Sequence, residues 1–562
     1  MLMKLKKYFI LAISGMVLAG SFSSCELDLA PTDSLTSEQL KQDPQGAVYA
    51  TSGNYSMLKD IMNFKGVEYT ANTFIRHHNH LTEYPSDNIS LSGRTTDPLY
   101  EANTYFHDPT LSNVAYLWWA GYKIINGCNI VIESVEEGQG SSSDQILGEN
   151  YFLRALMHAE LVKIFARPYS HGPANPGIII RTSSAPTETV RATVGAVYDQ
   201  ILTDLEKAAE LMNEDRGPSF ANKIAAYALL SRIYLYRGEN QLAVDYANQV
   251  LELKPASALE PTSTFSSYFA NAISSTETIF CVEHTDVDNK AQASIASMYL
   301  KDGIGWGEVY PSKTYIDLLE KHPEDQRHAF IWPQYIYDNE GNPTYWISYT
   351  ELSDDNNNLS YIHYNVTRDE EQGKWVYTLA GTDHFVNEEI NGTDTTYYIM
   401  VNAQRQDVEL GYRMSERNSY PRVYIKKFSY QNGDPMLSSP VMLRLAEVIL
   451  NRAEANAKLG RDQQALDDVN LIRQRAGLTG EALFRTDHMM GYTSILDIVL
   501  DERRLELAFE GHRTHDIYRN HLPMNRIYPG IQPAEIIQPN DNRIVFPIPQ
   551  DEILTSGIQQ NP

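Results

Sequence analysis

Cysteine is nearly absent, with three in 562 residues, at positions 25, 128 and 281. That supply cannot build a disulfide framework for a chain of this size, and it excludes zinc sites made of paired cysteines. Basic residues are also scarce: 46 Lys+Arg stand against 72 Asp+Glu, a formal charge of −26. A surface of that sign repels phosphate backbones and anionic lipid headgroups, which argues against nucleic-acid binding. No nucleophile elbow, phosphate loop or HExxH motif occurs. Mean hydropathy is −0.38, too polar for a protein that crosses the bilayer many times. What remains is a globular composition, 42% hydrophobic and 21% charged, in a chain long enough for more than one core-sized unit.

The N-terminus carries an export pattern. Lys4, Lys6 and Lys7 precede a thirteen-residue apolar run, Tyr8–Gly20, too short to span a membrane core but suited to the h-region of a signal peptide. Ser21-Phe22-Ser23-Ser24 then leads into Cys25. This resembles the lipobox of bacterial lipoproteins, apart from Phe22, and implies cleavage after residue 24 and acylation of Cys25. Two or three acyl chains, at about 0.8 kcal/mol per buried CH₂, hold a soluble body firmly to a bilayer. Removing residues 1–24 leaves 43 basic groups against 72 acidic, or −29. Glu26 and Asp28 resemble the surface-export signal of lipoproteins in the Bacteroidetes, which implies the outer membrane with the body facing outward.

Apolar residues three and four apart predict helices over Leu111–Glu133, Gly148–Phe165, Val194–Met212 and Ile224–Tyr236. A further helix is expected from Pro440, capped by Ser439 and stopped at Gly460, followed by one from Asp462 to Ala476 that stops at Gly477. Gly238–Val250 and Gly460–Ile472 share Gly, Gln, Ala, Asp and Asn at the same offsets. In both, a small residue (Ala243, Ala465) stands where an antiparallel helix pair would cross closely, the logic of tetratricopeptide pairs. The pairs are far apart in sequence, so the fold must bring them together. Between about Pro261 and Tyr430 helical periodicity fades and short β-like runs appear: Thr344–Tyr349, Leu359–Val366, Lys374–Leu379 and Asp394–Val401. The predicted fold is mostly α, with tetratricopeptide-like helix pairs and a loop-rich, irregular second lobe containing short β segments. Its divisions are 1–24 (signal peptide), 25–260 (helical), 261–430 (loop-rich, ligand-binding) and 431–562 (helical).

Several motifs recur in one order: Tyr151-Phe-Leu-Arg-Ala155, Asn222–Leu235, Arg444–Ala455, Val469–Leu478, Asp501–Arg513 with Asp516 and Arg519, and Phe546-Pro-Ile-Pro549 closing with Gln560-Asn-Pro562. Together they resemble the SusD/RagB family over essentially all of the chain after Cys25. The resemblance implies a surface lipoprotein without enzymatic activity that binds glycans or other nutrients. Such a protein sits as a lid on a SusC-like TonB-dependent transporter of the outer membrane. A scaffold that binds no sugar, or a binder of peptide or glycoconjugate, is the alternative, and a glycoside hydrolase a more distant one.

Tyrosine outnumbers phenylalanine 36 to 17. Its apolar face and water-tolerant hydroxyl suit a platform for the flat C–H face of a sugar. The candidate ligand-binding residues are Tyr84, Asp87, Asn88, Arg94 and Tyr100 in the early segment, Trp306 in Gly303-Ile-Gly-Trp-Gly307, and Tyr345-Trp346. Tyr100 lies near the position where the family resemblance implies a binding tryptophan. Trp306 is the foremost candidate, and simple packing over its loop is the competing account. At least one of Trp118 and Trp119 belongs to the core of a helix.

Glu502, Glu506 and Glu510, four apart, could suggest the acid and nucleophile of a glycosidase. Arg503, Arg504 and Arg513 beside them favour an ion-pair lattice of permanently ionised carboxylates instead. His77, His78 and His80, and His512 with His515, lack a spacing that guarantees three or four converging ligands, so no metal is expected. Asp354–Asn358 and Asp286, Asp288 and Asn289 are oxygen-rich but lack the glycine and closing glutamate of a calcium loop. Calcium there is a lesser expectation than a polar turn.

Overall fold

A computed structural model of the chain describes residues 45–93, 97, 99–186, 189–353, 357–392 and 394–562. Cys25 with its leader, Arg94, and Asp354, Asp355 and Asn356 of the candidate calcium run lie outside the described residues.

The apolar spacing lands on helices. α1 (Gly46–Ser56), α2 (Phe74–Glu83), α3 (Ser112–Ser134), α4 (Ser141–Phe165), α5 (Val194–Leu211), α6 (Lys223–Arg237) and α7 (Asn240–Leu253) form one packed series. Their ends follow from capping chemistry. Thr193 accepts from the Ala196 amide at 3.2 Å and Asn222 from the Ala225 amide at 3.0 Å, each satisfying one of the orphan donors of a first turn. Gly238 ends α6 in the left-handed region at φ 80°, where a side chain would be strained. Later in the chain come α8 (Lys313–Leu319), α9 (Leu445–Lys458), α10 (Asp462–Arg475) and α11 (Ile495–Glu506).

The two similar segments are joined in space as the shared pattern requires. α6–α7 and α9–α10 are antiparallel pairs, and α9 packs against both α6 and α7. Ala243 and Ala465 are fully buried at the crossings. Trp118 is core and Trp119 half-buried.

One helix starts later than expected. Val441–Arg444 is a strand (β9) paired antiparallel with Thr278–Cys281 (β1), and α9 begins only at Leu445. The ladder extends to Pro440, whose carbonyl accepts from the Val282 amide at 2.9 Å. Inter-strand pairing thus overrides the local signal of Ser-Pro as a helix start.

The β-like runs join into one antiparallel sheet: β2 (Tyr345–Leu352), β3 (Leu359–Asp369), β4 (Lys374–Leu379), β5 (Thr382–Phe385), β6 (Asn387–Asn391), β7 (Asp394–Val401) and β8 (Gln404–Tyr412), in the order β5-β4-β3-β2-β8-β7-β6. β5 and β6 lie at opposite edges yet are separated only by Val386. Two peptide steps of 3.8 Å bring those edges within about 8 Å, so the sheet is rolled upon itself. Its inside is an apolar core of Ile347, Val366, Tyr377, Val386, Ile399 and Val408. Tight turns with positive φ at Ala380-Gly381 and Asn402-Ala403 match the right-handed twist of the hairpins they close.

Candidate functional site

Three of the early candidates are framework. Tyr84 is fully buried, its ring 4.7 Å from that of His80 and 6.2 Å from that of Tyr299. Asp87 is bonded by Arg513 at 2.8 and 3.0 Å, with Arg504 at 3.6 Å. Burial alone would raise its carboxyl, but the two guanidiniums bring it down to about 2. Asn88 is fully buried, donating to Glu83 at 3.0 Å and accepting from Arg504 at 3.0 Å. The expectation that Tyr84, Asp87 and Asn88 form a sugar platform is therefore corrected. Their loop composition misled because the groups that bury them come from residues 504 and 513, more than 400 positions away. Tyr100, in the short helix Leu99–Thr104, is half-buried against the main core.

Trp306 is different. Its side chain is 48% exposed, although tryptophan is usually largely covered. The backbone beneath it is held tightly. The Trp306 and Gly307 amides both donate to the Ser297 carbonyl, at 2.7 and 3.0 Å, and the Glu308 amide to that of Met298 at 2.8 Å. Gly305 approaches so closely that a Cβ there would sit 2.0 Å from the Leu300 carbonyl oxygen, and Gly307 has φ +56°. Arg417 donates to the Trp306 carbonyl at 3.2 Å and pairs with Glu308. The two glycines and these bonds pin the loop, and the indole projects from it.

Trp306 forms one wall of a cleft of about 440 Å³, within the size range of small-ligand sites. The opposite wall comes from α2 and the start of α3. Thr73 caps α2 by accepting from the Arg76 amide at 3.4 Å, and so aims Arg76 and His77 at the cleft. Arg76 is 6% exposed; its guanidinium lies 3.6 Å from the Asp97 carboxylate while its Nε has no hydrogen-bond partner. His77 Nε2 meets Asn72 at 3.1 Å, its ring packs 5.0 Å from that of Tyr116, and Nδ1 has no partner. Burial, then Arg76, lowers His77 to about 3, so its ring is neutral; Nε2–H donates to the Asn72 side-chain oxygen and Nδ1 is left as an acceptor. The Asn113 side-chain NH₂ is likewise buried without a partner, while its oxygen accepts from the Val114 amide at 3.1 Å. An unpartnered buried polar atom costs about 1–3 kcal/mol, and Arg76, His77 and Asn113 each carry one beside this cleft. Gln292 and Tyr69, the latter 60% exposed, stand at the rim. Arg76, Asn113 and Gln292 were not legible as site residues, since helical periodicity accounts for Asn113, and Arg76 and Gln292 stand in no motif.

Tyr345 and Trp346 do not join this cleft. Tyr345 is half-buried, its ring near those of Trp375 at 4.9 Å and Tyr412 at 5.2 Å. Trp346 is 4% exposed and stacks on His363.

The carboxylates considered for catalysis form an internal lattice. α11 ends at Glu506, so Glu510 lies beyond it rather than on the same helical face. Glu502 is bonded by Arg327 at 2.7 Å and Arg473 at 2.9 Å, and Glu510 by Lys427 at 2.7 Å and Arg444 at 2.8 Å. Glu506 is bonded by Arg444 at 2.5 Å and by Arg475. Burial pushes Glu506 and Glu510 up, and the surrounding cations more than reverse it, leaving both below the usual carboxylate range. Neither is poised as a general acid. His78 is bonded to Glu160 at 2.6 Å, and among the described residues no three metal-ligating side chains converge. Asp288 is engaged by Lys59 and by the Thr285 amide, and Asn289 donates to Asp434 at 2.9 Å, so these oxygens serve a turn.

Comparison with known proteins agrees with this architecture. Residues 56–235 match a family model described as "starch-binding associating with outer membrane", and residues 276–562 match the SusD family model. SusD-like protein P38 of Formosa agariphila is 22% identical, covering 95% of this chain and 96% of its own. SusD-like protein P2 of the same organism is 23% identical, with 81% of each covered. A SusD superfamily crystal structure from Bacteroides thetaiotaomicron superposes with a TM-score of 0.69 at 23% identity, over 94% of this chain and 100% of that one. A laminarin-binding SusD-like protein superposes with a TM-score of 0.59 at 19% identity, over 92% and 99%.

Proposed function

The chain belongs to the SusD family, and from that premise we propose that it captures an oligosaccharide in the Trp306 cleft and hands it to a SusC-like TonB-dependent transporter. The observation that carries the reading is the half-exposed indole of Trp306 on a cleft that is also lined by Arg76, His77, Asn113 and Gln292. The indole offers an apolar face to a pyranose ring, and Arg76, His77, Asn113 and Gln292 bond the hydroxyls around it. Binding of this kind is reversible and involves no bond cleavage, in keeping with carboxylates that are locked in ion pairs. Among the described residues no helix is long and apolar enough to cross a membrane. In this reading acylated Cys25 supplies the attachment to the outer membrane and the body faces outward. The test is retardation of the Trp306→Ala variant in glycan-containing gels. Loss of retardation with an unchanged melting temperature supports the proposal, and unchanged retardation refutes it.

A further inference from the structure

The rolled sheet has an outer face that the Trp306 cleft does not use. Side chains alternate along a strand, so Trp346 and Ser348 of β2 point away from the interior residue Ile347. The register sets Ser348 opposite His363 of β3 and Glu409 of β8, and Thr350 opposite Tyr361. Trp346, His363 and Tyr361 thus share one outward face, turned toward the helical body. Between this face and α8 lies a second cleft, of about 320 Å³.

The cleft is floored by rings. Trp346 and His363 stack with centroids 4.0 Å apart and planes 7° from parallel, and Tyr361 continues the stack at 5.3 Å and 18°. At the mouth, Tyr335 and Tyr412 are 42% and 47% exposed with rings 5.6 Å apart. The His363 side chain is only 8% exposed; Nδ1 meets Glu416 at 2.8 Å, and Nε2 has no hydrogen-bond partner. Around the rim Lys313 bonds Asp317 at 2.8 Å and Glu409 at 2.9 Å, and Glu320 adds a third carboxylate. Carboxylates therefore outnumber cations in the lining.

We propose that this cleft is a second saccharide-binding site, specific for uncharged pyranose chains. It rests on the reading of the protein as a glycan binder but uses none of the residues of the Trp306 cleft. The exposed faces of Tyr335 and Tyr412 accept the C–H face of a sugar, and the carboxylates accept its hydroxyls. The excess of carboxylates repels uronic or sulfated sugars.

The experiment is affinity electrophoresis of the full chain in gels containing laminarin, xylan or mannan as neutral probes and alginate as the anionic one. Tyr335→Ala, Tyr412→Ala and Trp306→Ala are run alongside, with melting temperatures. The expected result is that each tyrosine variant melts like the parent and loses about tenfold in retardation by a neutral probe, alone and in the Trp306→Ala background. Retardation by alginate is expected to be unaffected by either tyrosine change. Wild-type retardation in both tyrosine variants overturns the second site and leaves the Trp306 cleft standing. A silent Trp306→Ala beside an impaired Tyr335→Ala refutes the Trp306 reading and retains this one. A parent chain retarded by no probe overturns both. Where a tyrosine variant unfolds, hydrogen exchange of the parent with laminarihexaose decides. Protection over 345–352 and 359–366 supports the second site, and protection confined to 69–77 and 297–308 overturns it.

Discussion

Replacing Glu506 by Gln separates a framework role from a catalytic one. Its carboxylate is buried between Arg444 at 2.5 Å, Arg475 and, at 3.6 Å, Arg327. Glutamine keeps the shape and removes the charge, leaving three buried guanidiniums with too few counter-charges. Breaking a buried pair from one side costs about 3–5 kcal/mol, which in a chain of 562 residues lowers the melting temperature by roughly 3–4 °C. The effect has a definite pH dependence. Burial raises the Glu506 carboxyl and the surrounding cations bring it well below its ordinary value. The stability it supplies is thus complete above the unfolded carboxyl value of about 4.3 and is lost as pH falls toward the folded value. Thermal melts of both proteins from pH 3.5 to 8 are expected to differ by a constant gap above about pH 4.5 and the gap to begin narrowing below about pH 4. Equal melting at pH 7, or a gap that does not narrow in acid, would refute the lattice. A glycan-cleaving activity present in the parent and lost in a stably folded variant would restore the enzyme reading.

Ala465→Leu forces a branched side chain into the fully buried crossing of α9 and α10, and is expected to lower stability by about 1–3 kcal/mol in chemical denaturation. Gly305→Ala sets a methyl group against the Leu300 carbonyl; glycan affinity is expected to fall by about tenfold or more through displacement of Trp306, with little change in global melting. His77, His158 and His515 are each lowered to about 3, chiefly by burial. Their neutral forms favour the fold above the unfolded value of about 6.5, and that contribution is lost as pH falls toward 3. Acid unfolding monitored by circular dichroism is expected to begin below about pH 6, and a melting temperature flat from pH 7 to 4 would contradict this.

The helices were legible because burial of one face imposes a periodicity that local residues carry by themselves. Ala243 and Ala465 even announced where helices cross. Val441–Arg444 was not legible as a strand, because its partner, Thr278–Cys281, lies some 160 residues earlier. The rolled sheet escaped for the same reason: its strands could be read singly, but closure depends on β2 pairing with β8 across the intervening hairpins. At the cleft, Gly-Trp-Gly pointed to Trp306 because glycine permits a backbone approach that no other residue tolerates. Arg76 was hidden because nothing local distinguishes an arginine facing a cleft from one on a solvated helix. The motif residues Arg232 and Arg444, by contrast, are buried in ion pairs with Glu447 and with Glu277 and Glu510, so the family signature reports the frame and leaves ligand choice to the loops.

Calorimetric titration of the parent and Trp306→Ala, with the glycan bound most strongly on an oligosaccharide array, shows whether the indole holds the sugar. A Kd at least tenfold higher is expected for the variant, with melting temperatures within about 1 °C of each other. An identical Kd, or an array on which the parent binds nothing, would contradict it.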